Sequence, residues 1–461
     1  MVSPTALWEA VGAVDALPAY RPPPPLQLDP GDVQAVLARL ADRIELAAKR
    51  VAGLAQHNLE LLSGAGIYGD LLDPPHRRAA LVAELFRDAR VARNAGYLDA
   101  AGLQRRIHRA RSRAGGLTLE LGWGQAKRDA GLLKTPGRGA DLAELVAIAR
   151  LGVIVRASQH ILEEPVTLRV ITGGRRFFEA LFTCPTLDAA YNAQRAALAA
   201  AIGLGGAITF ADIDRYWSEG EIAARLDRAL LDHPPASLPG AFAEASFQFV
   251  LFNIDWYNIL GGPGAGQPLR PHGLPPPAAF LEQFSHLGPA GRSLLLRHLL
   301  AAVVNPDLRL PPVEALGCHR DSFEAARSWA TGVTAVSARK YELLGALTTR
   351  APVGDGEEVG GAVALTVVEK PSTPAIPELA LLGRRAGATL PQHVVPVLGA
   401  ERTLGFHFYL RVVNQFAPLY LSDDTPLLPW LEPSGQPLCL AVGGIEEARC
   451  VLLQCDMFDG A

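Results

Sequence analysis

The chain has 461 residues, 49% of them apolar and 20% charged, the balance of a globular protein and too much chain for one ordinary core. A net charge of −4 gives no reason to expect nucleic acid or an anionic membrane as a partner, and no apolar run reaches the roughly 18 residues that cross a bilayer. The five cysteines are scattered and form no CxxC, which argues against a zinc site or a disulfide framework and for reduced thiols. The N-terminus, MVSPTALWEAVGAVD, lacks the basic and apolar regions of a signal peptide, so a cytoplasmic location is expected.

Taken in chain order, residues 1–30 are a Pro-rich lead-in. Residues 31–64 read as a long helix, because Val33, Val36, Leu37, Leu40, Ile44 and Ala47 recur at three- and four-residue steps. Residues 76–114 read as helical and Arg-rich, a solvated face with no interleaved aromatics for stacking RNA bases. The pattern then alternates. Strands are predicted at 117–123, 166–174 and 206–212, and helices at 140–158 and 186–203, with Asp141 and Glu144 in the first turn of the former. Strand–helix–strand at this spacing predicts a Rossmann-like, mostly parallel sheet flanked by helices. GGPGAGQPLRPHGLPPP (261–277) reads as a linker or long loop. Helices follow, including 321–347, and strands at 362–370, 393–399, 405–413 and 438–442 make the C-terminal part strand-rich. The expected divisions are 1–115 (N-terminal helical region), 116–260 (Rossmann-like half of the core), 261–330 (linker and helical insertion) and 331–461 (second, strand-rich half).

Of 43 basic residues only Lys49, Lys127, Lys134, Lys340 and Lys370 are lysines. In a chain that prefers Arg on its surface, a retained Lys can do what Arg cannot, such as lose a proton in a desolvated site. Lys49 reads as plain helix surface. The other four fall in 121–176 and 337–393. In VITGGRRF (170–177), Thr172, Gly173, Gly174, Arg175 and Arg176 follow a strand end, where open α/β sheets bind ligands; the arginines can hold an anion or be exposed groups on a tight turn. LGWGQAKRDAGLLKT (121–135) also follows a strand and carries Lys127 and Lys134, either to a bound anion or carbonyl or on an ordinary loop. In VVEKPSTP (367–374), Glu369 and Lys370 lie at a strand end, and His393 opens the next strand as a structural residue or a general acid or base. Arg339 and Lys340 in SARKYELL (337–344) read as a helix start within reach of an anion, or as surface groups. Asp255 in FNIDWYN is a structural anchor or an amine-binding carboxylate. Cys318, His319 and His407 have no ligand spacing and read as structural; no metal is expected.

The order of these segments resembles the isocyanide (isonitrile) synthase family, of the pyoverdine and dityrosine biosynthesis type. Lys127, Leu133-Lys134-Thr135, DLAEL (141–145) and ARL (149–151) look like that family's Lys-bearing loop and following helix, and TGGRRF (172–177) like its strand end before a phenylalanine. SARKYELL, VALTVVEKPS (363–372) and LPQHVVPVL (390–398) look like its Arg-Tyr helix and two later strands, so the resemblance spans about 117–413. Two turns depart from the pattern. The family's Ser-Asp-Gly is Thr172-Gly173-Gly174 here, and its His-Pro is replaced by Glu369-Lys370-Pro371.

The resemblance implies conversion of an amino-acid α-amine to an isonitrile, with the carbon taken from ribulose 5-phosphate and with no metal or redox cofactor. It implies an amino acid and a sugar phosphate as small-molecule partners, and allows a homodimer. In that scheme Arg175, Arg176, Arg339 and Lys340, with the backbone of Thr172, Gly173 and Gly174, would bind phosphate. Lys127, Lys134, His393, Lys370 and Glu369 would move protons. The alternatives are an enzyme of the same fold with a different amino-acid reaction, giving an amide or cyclic product, and a non-catalytic binding protein that kept the fold.

Overall fold

A computed structural model describes chiefly residues 30–64, 74–123, 140–212, 247–304, 313–350, 361–367, 374–382, 394–398 and 404–408, with short gaps at positions such as 141, 173, 184 and 262–267. Three helices come first: α1 (Pro30–Gly64), α2 (Pro74–Leu85) and α3 (Ala100–Ala114). On α1 the predicted face is the packed one, with Leu37, Leu40 and Ile44 buried and Ala48 and Val51 extending it. The continuous helix predicted over 76–114 is broken. Residues 86–99 turn away, Asp99 caps α3 by accepting from Gly102 N (2.8 Å), and Gly115 in the left-handed region (φ 65°) ends it.

The sheet follows as β1 (Leu117–Gly122), β2 (Val166–Thr172), β3 (Ile208–Asp212) and, much later, β4 (Val363–Leu365). All pairings are parallel and the order is β3-β2-β1-β4. This is the Rossmann-like, mostly parallel sheet the alternating pattern predicts. The strand read at 362–370 is shorter and lies beside β1 in this same sheet. β5 (Val394–Leu398) and β6 (Leu404–Phe408) pair antiparallel with each other. β2 is VTLRVIT, rich in β-branched residues that suit a pleated surface, and its side chains alternate between buried and half-buried.

Between β1 and β2 runs α4 (Leu142–Leu162). The sequence of 140–158 reads as an amphipathic helix, but every residue from Ala143 to Val155 is buried, the signature of a helix enclosed on all sides. Residues Ala143–Leu162 are long and apolar enough to cross a membrane, contrary to the expectation that no segment is, but α1, α2, β2 and a later helix pack around them. Arg150, 4% exposed, is accommodated there by donating to the carbonyls of Ala380 (2.8 Å) and Arg90 (2.6 Å). α5 (Arg175–Leu181) and α6 (Pro185–Ala201) lead from β2 to β3.

A second apolar core lies outside the sheet. It is built from residues 250–260, including α7 (Trp256–Leu260), with α8 (Ala278–His286), α9 (Pro289–Val304) and α10 (Arg320–Arg350). Asp255 is settled as an anchor: it caps α7 by accepting from Asn258 N (3.1 Å). The described end of the 261–277 loop is pinned, since Leu269 N donates to Ile259 O and Trp329 Nε1 donates to Leu274 O.

Candidate functional site

The parallel register brings the carboxyl ends of β1, β2 and β3 level, with Gly122 beside Ile171 and Thr172 beside Asp212. Polar side chains gather along this edge in an otherwise apolar core. Thr172 Oγ1 donates to Asp212 Oδ1 (2.8 Å) and accepts from Asn192 Nδ2 (3.3 Å), and Asn192 Oδ1 accepts in turn from Arg195 Nη2. Each member therefore donates to the next, from guanidinium to amide to hydroxyl to carboxylate. Hydrogen bonds aligned in one direction polarise one another. Arg195 is fully buried and Asp212 is exposed, so the relay runs from the core to the surface and ends on a negative charge.

Arg195 is held by rings. Its guanidinium carbon lies 4.5 Å from the Tyr191 ring centroid, 4.9 Å from Phe210 and 5.0 Å from Trp123. A weakly hydrated, planar cation suits such a cage better than an ammonium would. Tyr191 also donates its hydroxyl to Glu144 Oε1 (2.7 Å), a carboxylate with no exposure at all. Glu144 is thus in the first turn of α4, as the sequence pattern suggests, but fully buried there as an acceptor. Gln194 Oε1 accepts from Ala140 N (2.8 Å), which fixes the approach to α4.

The strand order reverses between β1 and β4, since the chain first builds β2 and β3 on one side of β1 and later adds β4 on the other. In open α/β sheets such a reversal leaves a crevice at the carboxyl ends, where ligands bind. The chain leaves β1 at Trp123 and β4 toward Val367, on either side of this point. Lys127 and Lys134 follow Trp123 in sequence, and Glu369 and Lys370 follow Val367. These four residues, together with Gly173 and His393, lie outside the described residues. Gly174 is buried and accepts from Phe177 N (3.0 Å). Arg175 and Arg176 are not in a turn: they are the first two residues of α5.

A second gathering lies where α5 meets α10. Phe177 of α5 packs edge-on to Tyr341 of α10, with centroids 5.4 Å apart, and Phe249 touches the same ring. SARKYELL, read as a helix start, sits well inside the 31-residue α10. Arg339 and Lys340 are consequently half-buried. Arg339 Nη1 pairs with Glu342 Oε2 (3.4 Å) on its own helix. Ser337, one turn before Tyr341, is fully buried and bonds His272 Nε2 (2.9 Å). His272 adopts a left-handed backbone (φ 54°) and meets Phe182 edge-on. Burial first, and the nearby Lys340 charge second, push its pKa down to about 3, so its imidazole is neutral at any physiological pH.

Thr172 is the one residue singled out from the sequence that the structure places in the relay. Asn192, Arg195, Tyr191, Glu144 and Asp212 were missed. A signal existed: the alanine-rich α6 concentrates its long polar side chains at Tyr191, Asn192, Gln194 and Arg195, spaced to share one face, and β3 ends on an acid. Cys318 and His319 differ in setting, the one buried and the other exposed. Cys318 is buried, its thiol pushed up to about 11 by burial and by Glu314, and His319 N donates to Gln283 Oε1. Among the described residues no three potential metal ligands cluster.

No family model matches the chain, and no curated protein matches it. Among solved structures it is similar to the PvcA protein from Pseudomonas aeruginosa, at 16% identity and a TM-score of 0.36, over 74% of this chain and 94% of that one. The likeness is a distant structural relationship.

Proposed function

We propose that this protein is an enzyme of carbon–nitrogen chemistry that works on an amino acid at the carboxyl edge of its sheet, in the manner of the isocyanide synthases its sequence resembles. The observation that carries the reading is the relay from buried Arg195 through Asn192 and Thr172 to exposed Asp212. An exposed carboxylate fed by oriented donors is a receptor for an ammonium group, and a deep guanidinium sets a positive field that favours a carboxylate or phosphate nearby. The two ends match the two charges of an amino acid.

In this scheme the α-amine must lose its proton before it attacks the ketone of a sugar phosphate, and loss of phosphate and chain fragmentation then need proton donors. Lys127, Lys134, Glu369, Lys370 and His393 are proposed for these transfers, and Arg175 and Arg176 for the phosphate. The test is mass spectrometry of the purified protein with tyrosine, tryptophan and other amino acids, each with ribulose 5-phosphate. Amine-dependent consumption of the sugar phosphate, with an isonitrile product, is expected. If the sugar is consumed only without incorporation of the amine, or not at all, the reading is wrong.

A further inference from the structure

We infer that the cleft between α2 and α3 is a binding site for the phosphoryl group of a small molecule, separate from the sheet edge. The cleft is an open pocket of about 380 Å³ lined by His76, Gln104, Arg105, His108, Arg109 and Ser112. That volume is within the range of small-molecule sites, roughly 300–1,000 Å³. Four of the lining residues, Arg105, His108, Arg109 and Ser112, are spaced at three, four and seven residues and so share one face of α3. From α2, His76 stacks on His108, with ring centroids 3.8 Å apart and planes 16° from parallel. The two helices are pinned at this point by Gln104 Nε2 donating to His76 O (3.3 Å) and Arg111 Nη1 donating to Pro75 O (3.2 Å).

No carboxylate lines the pocket. Acids that follow α4 and precede α3 are committed to other groups: Glu164 to Arg111 (2.5 and 3.0 Å), Glu163 to Arg78, and Asp99 to the cap of α3. Among the described residues Arg105 and Arg109 enter no hydrogen bond or ion pair, although most arginines around them do. Two guanidinium forks thus face a concave site that a stacked pair of imidazoles also lines. The twelve-residue α2 begins here and has no acid in its first turn, so its positive end adds to the same field. A nucleic acid is disfavoured because the lining has no aromatic ring other than the paired imidazoles on which bases could stack.

The experiment is calorimetric titration of the full-length protein with inorganic phosphate at constant low ionic strength, with chloride as control. A saturable event is expected that chloride does not reproduce and that R105Q/R109Q weakens at least tenfold. Both arginines are exposed, so the double variant should fold, and circular dichroism checks that it does. R175Q/R176Q, which alters the phosphate residues proposed at the sheet edge, should leave this event in place. The inference is overturned if no saturable binding occurs, if R105Q/R109Q binds phosphate like the parent, or if R175Q/R176Q alone removes the binding. It does not depend on the proposed reaction, since a protein inactive toward sugar phosphates could still pass this test.

Discussion

Replacing Thr172 by valine keeps the shape of the side chain and deletes the hydroxyl that links Asn192 to Asp212. The half-buried amide of Asn192 then loses its acceptor, which should cost about 0.5–1.5 kcal/mol in urea denaturation. T172S keeps the hydroxyl and should recover most of that loss. Turnover with amino acid and sugar phosphate should fall at least tenfold in T172V and return in T172S; equal activity in both would remove the relay from the mechanism. His272 yields a pH prediction. Its folded pKa of about 3 lies below the ordinary 6.5, so below pH 6.5 the unfolded chain takes up a proton that the folded chain refuses. Stability present above pH 6.5 is therefore lost as pH falls toward 3, by up to about 1.4 kcal/mol per pH unit. H272N, whose side chain tolerates the left-handed backbone, should flatten the fall in melting temperature between pH 7 and 5. Thr172 was legible because it ends a β-branched run before two glycines. Arg195 was not, because an arginine on a helix ordinarily points to water, and what accommodates it in the core is the convergence of Trp123, Tyr191 and Phe210 from separate parts of the chain together with its bond to Asn192.

At the scale of elements, Gly152 inverts the usual helix rule. Alanine in place of glycine within a helix ordinarily stabilises by about 1 kcal/mol. Here the added Cβ would overlap Leu204 Cδ1, and Leu204 is itself buried at the approach to β3. G152A should therefore lower the melting temperature, with a cost of about 1–3 kcal/mol from overpacking; a gain would mean that the α4–β3 contact is looser than it looks. Periodicity made the strands and most helices readable, since β1, β2 and β3 begin and end within a few residues of their predicted limits. It failed where tertiary demands prevailed. The 86–99 break carries Asn94, Gly96 and Asp99, turn and cap residues that a reading by apolar spacing and arginine content passes over. Arg93 and Asn94 turn their backbone and side chains toward a distant segment instead of continuing the helix. SARKYELL was misplaced because nothing local distinguishes the middle of a 31-residue helix from its beginning.

Across the whole molecule, that distant segment is 374–382, and residues 91–99 staple it down. Arg93 N donates to Glu378 O (2.7 Å), Ala380 N donates to Val91 O (3.1 Å), and Asn94 bonds both Ile376 O (2.9 Å) and Glu378 N (3.0 Å) through its side chain. N94A leaves two buried backbone groups without these partners and should destabilise by about 2 kcal/mol or more, with faster hydrogen exchange concentrated in 374–382. Uniform exchange in that segment would deny the staple its role. None of this was visible in the sequence, because hydrogen bonds between segments so far apart leave no local pattern. The same distance governs β1, whose Leu119 pairs with Val363. As the chain leaves the ribosome, β2 and β3 can dock on one side of β1 early, while the other side shows an unpaired row of amides until residue 363 has emerged. The reversal of strand order thus also makes the nascent chain wait with a bare sheet edge, and the sheet is complete only when β4 has joined.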